Sequence, residues 1–223
     1  MMEKKELLSP RLAAVFSMIP PSETIADVGS DHGKLSAFCL LKGRCRRIIA
    51  TDIHKLPAHR TRETLESLGL MEKSEVLVAD GLTGVPLSVD MTVVIAGMGG
   101  LEICKILGSA LRSDPGIPAG LCVILQPQRS LYEVRSFLSE NGFVISDEKI
   151  AREKDHFYEV IRAEYTGKMQ ELSKEELFLG PVILRERPEN YSEYIAHEEK
   201  VMKKRALGDP ECAELLKKWE SFL

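Results

Sequence analysis

The chain has 223 residues, 44% of them hydrophobic and 29% charged, with a formal net charge of −4. That composition excludes a disordered polymer and supplies enough apolar material for a full α/β core. The acidic balance excludes a uniformly basic nucleic-acid coat, and no apolar run reaches the ~20 residues that a membrane-spanning helix needs.

Charge is unevenly spread: residues 1–70 carry 11 Lys+Arg against 8 Asp+Glu, whereas the rest of the chain is acidic. A polyanion would therefore be met locally, near Lys42, Arg44, Arg46 and Arg47 or along Lys55, His59, Arg60 and Arg62. Cysteines at 39, 45, 104, 122 and 212 are odd in number and widely spaced, which reads as small core residues in a reducing cytoplasm. No C-x-x-C or H-x-x-x-H spacing supports a metal site. Lys4 and Lys5 ahead of Leu12–Ile19 have the order of a secretory leader, but Glu3, Glu6, Pro10 and Arg11 break it.

Ser9-Pro10 reads as a helix N-cap followed by proline at the first helical position. Leu12, Val15, Phe16 and Ile19 then recur at helical spacing, and Pro20-Pro21 ends the element. A short buried strand, Thr24–Val28, runs into Gly29-Ser30-Asp31-His32-Gly33 and a helix at Gly33–Lys42. Two glycines let the backbone and the first helical turn approach a ligand, and the helix offers unpaired N–H groups to an anion. The spacing is D-x-G-x-x-x-G from Asp27, not the G-x-G-x-x-G of dinucleotide folds. It resembles motif I of class I S-adenosylmethionine methyltransferases, and Asp27 suits a ligand that carries an ammonium group. A glycine-rich turn with no ligand has the same signature.

The second strand, Arg47–Thr51, stops at Asp52, where an acid can accept both hydroxyls of a ribose. A helix over Lys55–Leu68 closes at Gly69, and a third strand, Glu75–Ala79, runs into Asp80-Gly81. The fourth strand, Met91–Ala96, is apolar throughout, as a strand covered on both faces should be, and ends in Gly97-Met98-Gly99-Gly100. Three glycines in four positions predict a close approach or a positive φ. A helix at Leu101–Leu111 leads to a fifth strand, Leu121–Leu125, whose end places the Gln126 amide at the same sheet edge as Asp27, Asp52 and Gly97. After a helix at Ser130–Glu140, Phe143–Ala151 and Phe157–Tyr165 alternate like a hairpin. Gly167–Gly180 reads as a connector with one short helix. Glu189–Ala206 and Asp209–Leu223 follow as an antiparallel helical hairpin, with Asp209-Pro210-Glu211 as a capped start.

Arg11-Leu12, Asp27-Val28-Gly29-Ser30-Asp31-His32, Asp80-Gly81-Leu82, Ala96-Gly97-Met98-Gly99-Gly100, Leu125-Gln126-Pro127 and Tyr158-Glu159 occur in that order. Together they resemble the bacterial tRNA (adenine-22-N1)-methyltransferase family over residues 1 to about 165. The chain departs from the family at Gly33-Lys34-Leu35-Ser36, at His54-Lys55-Leu56-Pro57 and in its short tail. The resemblance implies an α/β, Rossmann-like class I methyltransferase with a seven-stranded, mostly parallel sheet and a small C-terminal helical hairpin. The division is a methyltransferase domain over 1–166 and a helical, coiled-coil-like domain over 167–223. It implies S-adenosyl-L-methionine as cofactor, tRNA as partner, a cytoplasmic enzyme and a monomer or weak dimer. Asp27, Gly29, Ser30, Asp31, Gly33, Asp52, Ile53, Asp80, Gly81, Ala96, Gly97, Met98 and Gly99 are the expected cofactor residues. His32, Asp31 and Gln126 are the expected catalytic residues, and Arg11, Lys55, Arg60, Arg129, Lys203 and Lys204 the expected RNA contacts. Methylation of another RNA or a small molecule, or nucleotide binding without turnover, stays open at this point.

Overall fold

The structure, a computed structural model, describes residues 8–223, so Glu3 and Glu6 of the leader argument lie outside the described residues. Helix α1 (Pro10–Met18) starts at Ser9, whose hydroxyl accepts the Leu12 N–H at 3.4 Å. Then follow β1 (Ser22–Val28), α2 (Lys34–Leu41), β2 (Cys45–Asp52), α3 (Lys55–Ser67), β3 (Ser74–Val78) and β4 (Met91–Met98). Next come α4 (Gly100–Arg112), β5 (Cys122–Pro127), α5 (Leu131–Glu140), β6 (Phe143–Glu153) and β7 (His156–Tyr165). All seven strands form one sheet in the order β3-β2-β1-β4-β5-β7-β6. Strands β1 to β5 pair in parallel and β7 runs antiparallel to both β5 and β6.

The central strands read as unbroken apolar runs because both faces are covered. Ala26, Val28, Val93, Ile95, Val123 and Leu125 pack toward α4 and α5. Ile25, Ile48, Ala50, Val94 and Ile124 face the opposite layer, with Val15 of α1, Leu35 and Cys39 of α2 and Leu65 of α3. Chain order reverses between β1 and β4, which leaves a crevice beyond their carboxyl ends, the usual ligand position in an open α/β sheet.

The tail holds the expected connector helix and the expected pair of C-terminal helices, with one helix more between them. It contains α6 (Lys174–Leu179), α7 (Pro181–Glu186), α8 (Tyr191–Arg205) and α9 (Pro210–Lys217), then a 3-10 turn at Trp219–Phe222. Its apolar cluster joins Leu179, Ile183, Tyr194, Ile195, Met202, Leu215 and Trp219 to Ile150 of the sheet, whereas Leu223 at the end of the expected last helix is exposed. A buried ionic knot fastens the tail. Arg135 of α5 lies within 2.8 Å of Glu148 of β6 and pairs with Glu159 of β7. Glu159 also accepts the Tyr194 hydroxyl at 2.8 Å, and Glu148 accepts the Val182 and Ile183 amides. Gly180 must be bare because a Cβ there would stand 2.5 Å from Glu148 Oε2. All five cysteines are free. No helix among the described residues is long and apolar enough to cross a membrane.

Candidate active site

At the β1/β4 crevice lies a cavity of about 330 Å³ lined by Val28, Gly29, Thr51, Asp52, Ile53, Ala79, Asp80, Gly81, Met98, Gly99, Glu102 and Ile106. A second cavity of about 570 Å³, between residues 82–87 and α4, continues from it through Asp80 and Ile106. Each wall comes from the carboxyl end of a parallel strand or the start of α4. Gly29 has φ +72°, and its N–H donates to the Thr51 carbonyl at 2.8 Å, which ties β1 to β2. A Cβ on Gly29 would overlap the Met98 methyl, so the missing side chain lets Met98 pack on the turn at the cavity wall. Asp52 Oδ1 accepts the His54 N–H at 2.9 Å, which holds that carboxylate at the rim. Thr51 donates to the Gly81 carbonyl at 2.9 Å and fixes the loop that presents Asp80, an exposed acid.

Seven expected cofactor residues therefore meet around one cavity: Gly29, Asp52, Ile53, Asp80, Gly81, Met98 and Gly99. Ser30 and Asp31 belong to the same turn but are held by α3: the Ser30 hydroxyl lies 2.9 Å from that of Thr61, which donates to the Asp31 carbonyl. Gly33, buried with φ +64°, packs on α3, since a Cβ there would stand 3.0 Å from Thr61. Ala96 and Gly97 sit on an irregularity in the β4/β5 register, where Gly97 takes φ +81°. Gly100 is explained by backbone contact: a Cβ would lie 2.6 Å from the carbonyls of Arg129 and Ser130. Of the A-G-M-G-G run, Met98 and Gly99 face the cavity.

Two expected site residues point inward. Asp27, placed at the mouth by its position in the motif, is 5% exposed and accepts the Ser36 hydroxyl at 2.5 Å. Strand alternation turns it to the α2 side, away from the cavity. Burial pushes its carboxyl up to about 6, against the lowering effect of Ser36. An acid whose folded pKa exceeds its unfolded value keeps its proton longer when folded, so its ionisation opposes folding. The effect is absent below about pH 4, grows between about pH 4 and 6, and then stays at roughly 3 kcal/mol. Asp27→Asn is therefore expected to gain up to ~3 kcal/mol in urea unfolding at neutral and alkaline pH, with the gain vanishing in acid. A difference independent of pH would contradict this.

Gln126 is likewise fully buried. Its Oε1 accepts from Arg11 Nη1 at 2.7 Å, from the Gly97 N–H at 3.1 Å and from Gln128 Nε2 at 3.4 Å, and its Nε2 donates to the Pro127 carbonyl at 2.9 Å. Its oxygen is taken by three donors and its side chain has no exposed surface. Asp31 and His32 are exposed at the turn, their side chains 3.4 Å apart. Arg11 and Arg129 stand near Gly97 and Gly99 respectively. Lys55 and Arg60 are exposed on α3, and Lys203 and Lys204 on the last turn of α8, where Lys203 pairs with Glu199 at 2.7 Å. Sequence reasoning missed Thr51, Glu102 and Tyr158 as site residues. Tyr158 had a signal, since it follows the hairpin turn in a strand beside β5 and its ring centroid lies 5.9 Å from the Arg11 guanidinium.

Residues 25–209 match the family model of TrmK, described as tRNA (adenine(22)-N(1))-methyltransferase. The tRNA (adenine(22)-N(1))-methyltransferase of Bacillus subtilis strain 168 is 32% identical over 157 residues, 70% of this chain and 65% of that protein, so the match spans slightly under two thirds of that relative. Streptococcus pneumoniae Sp1610, solved in complex with S-adenosyl-L-methionine, superposes with a TM-score of 0.84 at 26% identity, covering 97% of this chain and all of that one. The B. subtilis M1A22 tRNA methyltransferase TrmK superposes with a TM-score of 0.81 over 98% of this chain and 99% of that one. At 24% identity it speaks to the fold alone.

Proposed function

This chain belongs to the tRNA (adenine(22)-N(1))-methyltransferase family, and from that membership we propose that it transfers a methyl group from S-adenosyl-L-methionine to N1 of adenine 22 in tRNA. The observation that carries the proposal is the cavity at the switch point, where Gly29 and Gly99 line the wall and Asp52 and Asp80 supply two carboxylates one strand apart. That donor set fits the cofactor. Asp52 suits vicinal ribose hydroxyls, Asp80 the exocyclic amine of a purine, and Ile53, 57% exposed at the rim, the purine face. The backbone of Gly29, Ser30, Ala96, Gly97 and Gly99 is assigned to the amino-acid end. When bound, the cofactor supplies a methyl group on a sulfonium, which a neutral nitrogen lone pair can accept.

Adenine N1 carries such a lone pair at neutral pH, so the protein needs no strong base and its work is alignment. N1 lies on the Watson–Crick edge, and the base must leave its stack at a cost of a few kcal/mol. N1 becomes cationic on alkylation, and we assign Asp31, with His32 beside it on the exposed turn after β1, to offset that charge. His32→Ala is expected to lower single-turnover methylation at least about tenfold, the size of a positioned polar group, with cofactor affinity unchanged. Unchanged turnover would remove His32 from the site. Lys55, Arg60, Arg129, Lys203 and Lys204 are assigned to RNA phosphates in the cytoplasm. Residues 167–223 are proposed as a distinct helical unit, a reading supported by an apolar cluster that draws most of its members from them and docks on Ile150 of the sheet. The test is incubation with labelled cofactor and unmodified tRNA, followed by nucleoside analysis. 1-Methyladenosine is expected, and label absent from the nucleosides would contradict the proposal.

A further inference from the structure

We propose that Arg11 is the acceptor-side anchor of the site, seating a backbone phosphate of the target nucleotide, and that the buried amide of Gln126 is the positioning residue that aims it. The inference rests on the function proposed above. Gln126 has no free polar atom, and donation from its Nε2 to the Pro127 carbonyl fixes which end of the amide faces Arg11. Its oxygen gathers the Arg11 guanidinium and the Gly97 N–H into one cluster at the carboxyl ends of β4 and β5. The Tyr158 ring lies 5.9 Å from the same guanidinium, so two fixed groups hold it.

That arrangement spends one N–H of Arg11 on a neutral partner. Among the described residues Arg11 makes no ion pair with a carboxylate, although it is half-buried. A positive charge prepared in this way matches an oxyanion, and a guanidinium presents its remaining N–H groups in the fork that suits phosphate. Two oxyanions share this chemistry, an RNA phosphate and the carboxylate of the cofactor, whose amino-acid end is assigned beside Gly97. Arg11 and Tyr158 do not line the cofactor cavity, and they extend the cluster toward the β5 and β7 side of the sheet, so the proposal commits to the RNA phosphate. Cofactor affinity measured beside the tRNA KM separates the two sources.

The experiment compares the full chain with Arg11→Met and Gln126→Glu in steady-state methylation of tRNA across a salt series, with cofactor affinity measured by calorimetry. Arg11→Met is expected to raise the tRNA KM at least about tenfold and to flatten the log(kcat/KM) against log[salt] slope by about one, since one phosphate contact contributes roughly 0.7 to 0.9. Gln126→Glu places a carboxylate on the guanidinium and is expected to flatten the same slope while Arg11 remains present, a change that mere loosening of the fold does not produce. Arg11→Lys, which keeps the charge and loses the fork, is expected to retain the slope and recover part of the KM. Cofactor affinity stays within about twofold in all three, by the geometry of the cavity. A tenfold loss of cofactor affinity with an unchanged tRNA KM, or an unchanged salt slope in Arg11→Met, overturns the assignment. Absence of methylation by the unaltered protein would overturn the function proposed above instead. The phosphate seat would then be decided by tRNA binding in the same salt series, where an unaltered slope in Arg11→Met counts against it.

Discussion

Arg135→Met is expected to cost about 5 kcal/mol, the upper end of the range for breaking a buried ion pair, because it strands two carboxylates at once. Arg135 and Glu148 are completely buried as side chains and Glu159 nearly so. The guanidinium also donates to the carbonyls of Leu177 and Phe178, so its loss frees the α6 to α7 corner as well. Burial raises the Glu159 carboxyl even with the arginine present. Without it, Glu159 can stay buried only by taking a proton. The variant is therefore expected to recover stability relative to the parent as pH falls. Trp219, the single tryptophan, sits in the tail cluster and reports undocking by its fluorescence. Adding Glu148→Gln and Glu159→Gln to Arg135→Met removes the stranded charges and is expected to restore much of the loss. A cost below about 1 kcal/mol, the level of an exposed pair, would contradict the knot's role.

Gly29→Ala is expected to lower cofactor affinity by about a hundredfold and to abolish detectable methylation. Two effects contribute. An alanine in the left-handed region costs roughly 1 kcal/mol of backbone energy, and its Cβ takes the place of the Met98 methyl and displaces that side chain, which itself lines the cavity. Gly43 provides the control: it has φ +62°, and a Cβ there meets nothing within 4 Å. Gly43→Ala therefore carries the backbone cost alone and should leave affinity unchanged. Equal affinities for Gly29→Ala and Gly43→Ala, by calorimetry, would show that Gly29 does not face the cofactor.

The features legible in the sequence were those with local physical causes. The inner parts of β1, β2, β4 and β5 could be read because burial on both faces leaves largely apolar runs, and the edge strand β3 by the Asp80-Gly81 turn that follows it. The starts at Ser9-Pro10 and Asp209-Pro210 could be read because caps act over three residues, and Asp209 does accept the Glu211 N–H at 2.9 Å. The glycine turn, Asp52 and Asp80 could be read because each ends a strand at the same sheet edge. The remaining features depend on partners far apart in the chain. Arg135, Glu148 and Glu159 look like solvated charges until the tail folds over them. Helix α7 was hidden because Gly180-Pro181 resembles a break, whereas the proline occupies the first position of a new helix. Gln126 ends its strand where a ligand contact would stand, and only its three donors reveal that its oxygen is already taken. Asp27 could have been placed by alternation within β1, which sets it opposite Val28, a cavity-facing residue.

The proposed reaction is methyl transfer to one atom of one nucleotide. It is tested by methylation of an unmodified tRNA transcript and of the same transcript carrying guanine in place of adenine 22, read by mass spectrometry of the digested RNA. One N1-methyl group is expected at position 22 of the first transcript and none on the second. Equal methylation of both transcripts, or a methyl group on N6, would contradict it.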